Sequence, residues 1–442
     1  VIGAGSVFFG SGGTGYGNST VANINITGGT LNMDQSNKLL NVSGNVTVAT
    51  GASLLLSGTA PGDLSVGGNF ANSGIFTANS RTTTFNGTGT QTISGSATSN
   101  FGFLTINKSS GNVVLNSAAS VASTLTINGS TTFSLNGNSL TVGSLAGSSS
   151  TSIINNNHAS TNVVLTVTDG GNNTFAGILQ NGGVGTLGLT KQGAANSLTL
   201  SGLNTYSGTT TLSGVGRLFL TNNMTLGRLN MTATSNIDLG VGATGFTVNF
   251  ANSNTPAWTG TLTIFNWTPS AGKIINVAGV SPEGLTSTQL AQTNIDNYGV
   301  GSKFAGIEVR PALLFVTKPS GSGSFTQNTN WLLDDRPLSL TGSESFYIQP
   351  GFNLTIDVAT SSFLRVEVGG TMTMTNQTMT IANSGDFRLA GNVSMTSASV
   401  INMSAGISMI AQSTTASFSS AGTLNFQGNF IISSDLPNTV LL

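Results

Sequence analysis

The side chains that could do chemistry in this sequence are few, and they are concentrated in one acidic and aromatic cluster. This cluster contains Trp331, Asp334, Asp335 and Arg336, and Tyr347 follows it. Two adjacent carboxylates offer oxygen ligands of the kind that Ca²⁺ prefers. Adjacent residues on a strand point to opposite faces, however, and Arg336 can neutralise one carboxylate. We therefore predict a turn or module interface that forms an interaction surface, and no metal site.

Catalytic groups are equally scarce. His158 is the single histidine, and it lies in a polar run of asparagines that predicts a loop. A polysaccharide lyase or hydrolase needs carboxylates, often with Arg or Lys, that converge on one groove. The charged residues between positions 1 and 190 are too dispersed to form such a pair: Asp34, Lys38, Asp63, Arg81, Lys108 and Asp169. We expect no enzyme, no catalytic residue and no cofactor.

Three weaker signals have simple structural explanations. Asp169 and the Gly-Gly-Asn-Asn that follows it resemble half of a Ca²⁺-binding turn, but the repeated pattern of calcium-loaded solenoids is missing, which favours a plain turn. The methionines from Met372 to Met409 predict adaptable stacks in the interior of the fold. Asn-x-Ser/Thr sequons arise from the composition alone, so surface glycans stay an open alternative.

Low charge is the strongest compositional signal. Charged residues make up 6% of the 442 residues, the net charge is −1, and cysteine is absent. No basic cluster exists to bind nucleic acid or an anionic membrane surface, and no apolar run is long enough for a membrane helix. The apolar fraction of 38% can nevertheless form a core. Without disulfides, stability must come from packing and backbone pairing.

Short alternating strands separated by glycine-containing turns fill the sequence. In Leu125–Asn128 and in Leu140–Val142 every second residue is apolar, which is the period of a β-strand. Many such strands fit either a string of β-sandwiches or a parallel β-solenoid. Stacked coils bring like residues into register, where rows of like charge repel and rows of Asn or Thr stack well. The low charge therefore favours an all-β, parallel β-solenoid.

The sequence pattern changes between residues 280 and 345. Of the 27 charged residues, 14 lie between Asp296 and Arg388. Ser281–Gln292 is the best helix candidate, and Lys318–Ser324 is the best linker or tight connection. We predict a long β-solenoid module over residues 1–280, a junction with a short helix and a charged loop over 281–345, and a second β-solenoid module over 346–442.

Two segments resemble one known family. The run from Gly188 to Gly193, followed by Leu198–Leu212, resembles the passenger-associated transport repeat of bacterial autotransporter-like β-helices. The run Trp258–Trp267, followed by Gly284–Gln292, looks like the closing segment of such repeats in large secreted surface proteins. Its tail departs from the usual pattern, so the sorting signal that the family implies is not visible.

A third segment resembles another group. Gly67–Thr77, Phe85–Gly95 and Phe103–Lys108 are similar to repeats in very large secreted adhesin-like proteins of Bacteroidetes-type bacteria. Together, these resemblances imply a right-handed parallel β-helix exported to the cell surface, and they imply no particular ligand. Residues 1–10 contain neither an initiator Met nor a positively charged segment, which predicts a mature chain without its signal peptide.

These observations lead to one preferred function and two alternatives. Apolar ends predict that the coils at each terminus pack against neighbouring copies or against further polypeptide, because an exposed last coil is an unpaired sheet edge. We expect a secreted structural protein that forms homo-oligomers or polymers through its ends, as a filament, sheath or surface layer. The alternatives are an adhesin stalk, in which the solenoid is a spacer and the charged region binds, and, third, a carbohydrate-active β-helix enzyme. Surface glycans stay an open partner class.

Overall fold

The chain is an all-β protein whose parallel strands stack as a β-solenoid of about 16 turns, with almost no helix. This confirms the predicted fold class, whereas the right-handed sense stays a prediction. The computed structural model describes residues 6–8, 18–33, 38–58, 61–168, 170–242, 244–267, 272–279, 282–296, 298, 301–305, 308–312, 314–317, 321–327, 345–357, 360–404, 408–411, 417–426 and 431–434.

The strands are short and follow one another closely along the chain. In chain order they are β1 (Ser6–Phe8), β2 (Ser19–Val21), β3 (Ile24–Ile26), β4 (Thr30–Asn32), β5 (Leu40–Val42), β6 (Val46–Val48), β7 (Ser53–Leu55), β8 (Leu64–Val66), β9 (Phe70–Asn72), β10 (Ile75–Thr77), β11 (Thr82–Phe85), β12 (Gln91–Ser94), β13 (Ser99–Phe101), β14 (Phe103–Asn107), β15 (Val113–Leu115), β16 (Ala119–Asn128), β17 (Thr132–Ser134), β18 (Leu140–Ala146), β19 (Ile153–Asn156), β20 (Val163–Val167), β21 (Asn173–Phe175), β22 (Ile178–Asn181), β23 (Leu187–Gln192) and β24 (Leu198–Leu200).

The second half continues in the same manner around one short helix. Its elements are β25 (Thr210–Ser213), β26 (Arg217–Leu220), β27 (Met224–Leu226), β28 (Leu229–Met231), β29 (Ser235–Asp238), β30 (Phe246–Phe250), β31 (Leu262–Phe265), β32 (Lys273–Val277), α1 (Ser287–Ala291), β33 (Thr293–Ile295), β34 (Ser302–Ala305), β35 (Glu308–Pro311), β36 (Leu314–Val316), β37 (Gly321–Ser324), β38 (Ser345–Ile348), β39 (Phe352–Ile356), β40 (Thr360–Val368), β41 (Thr371–Met374), β42 (Thr378–Leu389), β43 (Asn392–Met395), β44 (Val400–Met403), β45 (Ser408–Ala411), β46 (Ser417–Ser420), β47 (Thr423–Phe426) and β48 (Ile431–Ser434).

The chain divides into two compact units. Unit 1 comprises residues 1–242, 246–266 and 275–289, and unit 2 comprises residues 243–245, 267–274 and 290–442. This division does not test the three predicted modules, which stay a prediction. In unit 1, one sheet runs in the order β2-β5-β8-β11-β14-β16-β18-β20-β23-β25-β28, and another in the order β22-β19-β17-β15-β12-β9-β6-β3.

The described residues of unit 2 include two parallel sheets and one antiparallel pair. One sheet runs β36-β38-β40-β42-β44-β47, and the other runs β37-β39-β41-β43-β46. Strands β34 and β35 pair antiparallel with each other. In both units a strand therefore pairs mainly with strands of the preceding and following coils, which is how a solenoid satisfies its backbone polar groups.

The core follows from the alternation of residue types. In β6, Val46 and Val48 are fully buried and Thr47 is only half-buried, and the same pattern recurs in β5 and β24. Stacking then places like residues above one another, because Val46 is in register with Phe70 of the next coil. The rings of Phe70 and Phe76 pack edge to face at 5.0 Å between centroids.

Glycine is required where one coil turns directly against another. A Cβ atom added to Gly87 would lie 1.9 Å from the carbonyl oxygen of Gly67. In unit 2, a Cβ on Gly391 would lie at the same distance from the carbonyl oxygen of Gly370. Both contacts are with backbone, which cannot move aside without disturbing the stack, so the glycine-rich turns are a consequence of close coil spacing.

An asparagine ladder connects successive coils of unit 1. The backbone N–H of Asn45 donates to Oδ1 of Asn23 at 2.8 Å, and that of Asn69 donates to Oδ1 of Asn45 at 2.7 Å. The N–H of Thr92 then donates to Oδ1 of Asn69 at 2.8 Å. The first two steps span 22 and 24 residues, so the ladder has the period of one coil. Neutral amides thus provide hydrogen bonds between coils without adding charge.

The predictions for two connecting segments have different outcomes. Within Ser281–Gln292 the helix is only Ser287–Ala291, and it begins after Thr286. Oγ1 of Thr286 accepts from the N–H of Gln289 at 3.2 Å, and Oε1 of Gln289 accepts from the N–H of Thr286 at 2.8 Å, which is a capping box. The linker prediction was wrong for Gly321–Ser324, which pairs with β39, while residues 318–320 lie outside the described part.

Candidate functional site

The interaction surface predicted from sequence is only partly described by the structure. Trp331, Asp334, Asp335 and Arg336 lie outside the described residues, so their role stays a prediction. Tyr347 is on β38, and its residue surface is 3% exposed. Its side chain is therefore enclosed by the protein and does not contribute to an exposed binding surface.

Strands β40 and β42 of unit 2 carry charged side chains on the side opposite the core. Val366 and Val368 of β40 are buried in the hydrophobic core, and Arg365 and Glu367 alternate with them. Register places Arg365 beside Asp386 and Glu367 beside Arg388. Charges of opposite sign therefore face each other across the two strands, an arrangement that stabilises paired strands where like charges would repel.

Asp386 binds both arginines of this group. Nη2 of Arg365 donates to Oδ2 of Asp386 at 2.7 Å, while Nε of Arg365 donates to Oδ1. Nε of Arg388 lies 3.2 Å from the same Oδ2. Arg365, Glu367 and Asp386 are each less than 9% exposed. The bidentate geometry offsets part of the desolvation that burying an ion pair requires.

Tyr298 covers this group of charges on its outer side. Its hydroxyl donates to Oε2 of Glu367 at 3.3 Å, and its ring lies 4.3 Å from Cζ of Arg365. The ring of Trp267 packs edge to face against it at 5.3 Å. Burial raises the pKa of Tyr298 above its ordinary value, and the carboxylate of Glu367 adds to this rise. Tyr298 therefore stays neutral and can keep donating to Glu367.

We call Tyr298, Tyr347, Arg365, Glu367, Asp386 and Arg388 together the outer charge cluster. Tyr347 belongs to it because it is in register with Glu367. Burial raises the pKa of Tyr347, and Glu367 and Tyr298 raise it further. Asp386 is paired with two arginines, and Glu367 accepts from the Tyr298 hydroxyl. These contacts favour a structural role: the cluster fastens Tyr298 to the outside of the sheet.

Unit 1 contains a smaller version of this arrangement. Nη1 of Arg217 lies 2.5 Å from Oδ2 of Asp238, and its guanidinium carbon lies 3.8 Å from the ring centroid of Phe265. Asp238 also accepts from the N–H of Gly240 at 2.8 Å and from Nδ2 of Asn266 at 2.6 Å. The side chain of Arg217 is 41% exposed, so this pair is more open to water.

Unit 1 contains two buried lysines, Lys108 and Lys191, that the sequence pattern did not single out. Lys108 is 3% exposed, and its Nζ donates to Oε1 of Gln91 at 2.7 Å, to the carbonyl of Gly89 at 2.9 Å and to that of Gly87. Burial lowers the pKa of Lys108. The alternation of the strand could have predicted this burial. Leu104 and Ile106 point inward, and Lys108 continues their alternation.

The remaining sequence candidates are structural where they are described. Nδ1 of His158 accepts from the N–H groups of Ser160 and Thr161 at 3.2 and 2.9 Å, so the imidazole caps a turn. The prediction of interior methionine stacks is confirmed, because Met374 and Met395 are in register and buried. Asp169 lies outside the described residues.

A different kind of surface lies on the sheet β37-β39-β41-β43-β46 of unit 2. Its side chains that point away from the core are short, uncharged and polar, and they form two rows in register across the sheet. We call these two rows the outer polar grid: Ser322, Asn353, Thr371, Asn392 and Ser417 in the first row, and Ser324, Thr355, Thr373, Ser394 and Ser419 in the second. All ten residues are exposed or half-buried.

Two further properties concern the part of the chain that the structure describes. Within it, His, Asp and Glu residues do not gather in groups of three or more that could hold a metal ion. Its single helix is far shorter than a membrane span. Comparison of the chain with protein-family models, with curated proteins and with solved structures gave no match. The β-solenoid therefore rests on the structure itself.

Proposed function

We propose that this chain is a structural β-solenoid protein that is exported and joins end to end into an extracellular filament, sheath or surface layer. The observation that carries the proposal is the composition of the strands at the sheet edges. β2 and β3, which each end a sheet of unit 1, and β46, β47 and β48, which end strand ladders of unit 2, contain no charged residue and no proline. Soluble β-proteins usually place Lys, Pro or a bulge on such strands to prevent further pairing.

The hydrogen bonds of β2 and β3 define where a further strand would attach. The N–H of Ser19 donates to Leu39 and the carbonyl of Val21 accepts from Ser43, the residues on either side of β5. Ile24 and Ile26 bond in the same way to Asn45 and Ala49, on either side of β6. Alternate residues of a parallel strand bond to opposite neighbours, so Thr20 and Asn25 direct their N–H and C=O groups to the other side. Among the described residues, no strand of the two sheets lies on that side.

End-on joining would continue the stack with the pairing that already holds the coils together. Strands added at about 4.8 Å extend both the backbone ladder and the apolar core. Contacts between unlike ends of identical subunits do not close on themselves, so they produce a fibre. Export is supported by the resemblance of Leu198–Leu212 to the passenger-associated transport repeat, and both export and assembly are proposals.

The test is the dependence of molecular mass on concentration, measured by sedimentation velocity and followed by electron microscopy. We expect the wild-type protein to grow with concentration into rods longer than one chain. The double variant Thr20→Pro, Asn25→Pro removes two edge-facing N–H donors and retains the bonds to β5 and β6. Loss of two hydrogen bonds should raise the concentration required for assembly about tenfold to a hundredfold.

The matched control is the double variant Thr20→Ala, Asn25→Ala, which keeps both N–H groups and should assemble like the wild type. Circular dichroism establishes that both variants remain folded. If the wild-type chain is monomeric at every concentration, the filament proposal is wrong, and the role of a spacer in an adhesin becomes the better explanation.

A further inference from the structure

We propose that the outer polar grid of unit 2 binds the surface of ice. This activity is distinct from end-on assembly, because it uses the outward side chains of the sheet β37-β39-β41-β43-β46 and not the unpaired backbone groups of its edge strands. Four properties of the grid lead to this proposal: its spacing, its uncharged hydrogen-bonding groups, the fixed positions of its side chains and its limited area.

The spacing of the grid is fixed by the backbone. Register places Asn353, Thr371 and Asn392 side by side on adjacent strands, about 4.8 Å apart. Within a strand, Thr371 and Thr373 are two residues apart, or about 6.7 Å. The grid therefore presents hydroxyl and amide groups at regular intervals in two directions. Oxygen atoms on the faces of ice repeat in two directions at distances of similar size.

The side chains of the grid can form the same kinds of hydrogen bond as water molecules. All ten of its side chains carry hydroxyl or amide groups, which both donate and accept hydrogen bonds. The five strands contain no charged residue. Asp357 follows β39 beyond the second row, and Oδ1 of its carboxylate accepts from the N–H of Thr326 at 3.1 Å. The ten grid positions themselves therefore carry no charge, and the Asp357 carboxylate beside them is bonded to Thr326.

The side chains of the grid are also held in position. Oγ of Ser417 donates to Oδ1 of Asn392 at 2.8 Å, which orients both groups. Thr355, Thr371 and Thr373 are β-branched and have few rotamers on a strand. One neutral hydrogen bond to ice is only slightly more favourable in free energy than one to liquid water. A rigid array forms many such bonds at once without the entropy cost of ordering its side chains, because they are already ordered.

Other occupants fit this surface less well. Five strands about 4.8 Å apart and about four residues long present an area on the order of 300 Å². A stable protein partner needs roughly 800 Å² on each side, so a second protein is disfavoured. The grid contains no aromatic residue on which a sugar ring could stack, which disfavours a glycan. An extended ice crystal needs neither property.

The experiment measures thermal hysteresis, the gap between the melting and freezing temperatures of an ice crystal in a solution of the full chain. It also measures the fraction of protein retained in a slowly grown ice hemisphere. We expect the wild-type chain to give a concentration-dependent hysteresis with faceted crystals and to be enriched in the ice. Thr373→Lys at the centre of the grid should abolish the hysteresis, and Ser394→Lys, at a more exposed position, should reduce it severalfold.

The matched control is Thr225→Lys, on β27 of unit 1, which places the same charge on an exposed threonine outside the grid. This variant should retain the full wild-type hysteresis. The proposal is overturned if the wild-type chain shows neither hysteresis nor enrichment in ice. It is also overturned if the two grid variants retain full activity, or if the control loses activity to the same extent. Binding of the grid to a glycan or to a second chain, without binding to ice, would likewise contradict it.

Discussion

The outer faces of the two units connect their stacked coils through different kinds of side chain. In unit 1 the coils are connected by neutral side chains, as in the ladder of Asn23, Asn45 and Asn69. In unit 2 the outer side of β40 and β42 carries charges of opposite sign that face each other across the strands, and Arg365 and Asp386 form an ion pair. The difference indicates that a stacked coil accepts charge where the neighbouring coil supplies the opposite sign.

Where stacked strands carry paired charges, aromatic rings lie over these charges. Tyr298 lies over Arg365 and donates to Glu367, and in unit 1 the ring of Phe265 lies beside Arg217. Stacked charges are therefore paired and shielded together, since partial burial strengthens the attraction only if partners are present. The enrichment of charge after Asp296 thus has, among the described residues, an internal explanation in the outer charge cluster.

The largest expected effect follows from breaking the buried ion pair of unit 2. Arg365→Ala leaves the carboxylate of Asp386 buried with Arg388 as its remaining cation. Loss of one partner from a buried pair should lower the free energy of unfolding by about 3–5 kcal/mol. Urea unfolding measures the loss of free energy of unfolding. Hydrogen exchange of peptides from unit 2 establishes that the loss lies in this unit.

The matched control for this prediction is Arg217→Ala in unit 1. Arg217 is 41% exposed, and Asp238 keeps its donors Gly240 and Asn266. Solvent screening limits the expected loss to about 1 kcal/mol or less. Equal losses in the two variants would show that the two units do not differ in the way described here.

The next largest effect is expected at alkaline pH, where the two units should lose stability to different extents. Burial raises the pKa of Tyr298 and Tyr347 in unit 2 and of Tyr206 in unit 1, while the unfolded chain ionises near pH 10. The stability that these neutral tyrosines provide is complete below that pH and declines above it, by about 1.4 kcal/mol per pH unit for each tyrosine.

Because unit 2 contains two of these buried tyrosines and unit 1 one, unit 2 should lose stability about twice as steeply. Ultraviolet absorbance of tyrosinate, recorded with hydrogen exchange of each unit between pH 9 and pH 12, measures both quantities. Tyr298→Phe should reduce the pH dependence of unit 2. Ionisation of all three tyrosines near pH 10 in the folded protein would contradict the prediction.

The sequence predicts the parts of this structure that depend on local alternation. Period-two patterns predict strands such as β6, and the glycines at the turns predict close coil spacing. Register is not local, since Arg365 and Asp386 are one coil apart and their contact depends on the number of residues in that coil. Tyr298 and Glu367 are 69 residues apart, so no short pattern could place the tyrosine over the cluster.

The segments 281–292 and 318–324 show the same limit of prediction from local sequence. The capping box of Thr286 and Gln289 fixes where the helix begins, whereas the spacing of Leu285 and Leu290 predicts a helix that extends further on both sides. Gly321–Ser324 has the composition of a linker, yet the backbone of β39 provides partners that make it a strand. Tertiary pairing therefore overrides local propensity where a neighbouring coil offers an edge.

The most direct test of the central claim replaces the neutral ladder of unit 1 by like charges. In the triple variant Asn23→Asp, Asn45→Asp, Asn69→Asp, each residue keeps an oxygen that can accept from the N–H of the next coil. Carboxylates about 4.8 Å apart repel by about 1 kcal/mol for each neighbouring pair, or about 2 kcal/mol in total. Asn45→Asp alone has no charged neighbour in the ladder and serves as the control.

The measurement is the free energy of unfolding of unit 1 as a function of pH and salt. Repulsion raises the pKa of the folded carboxyl groups, so the loss is absent below pH about 3.9 and develops as the pH rises above it. We predict that the triple variant is less stable than the wild type at neutral pH and low salt, and that acid or high salt removes the difference. Equal stability of the triple variant and the wild type at neutral pH and low salt would contradict the account.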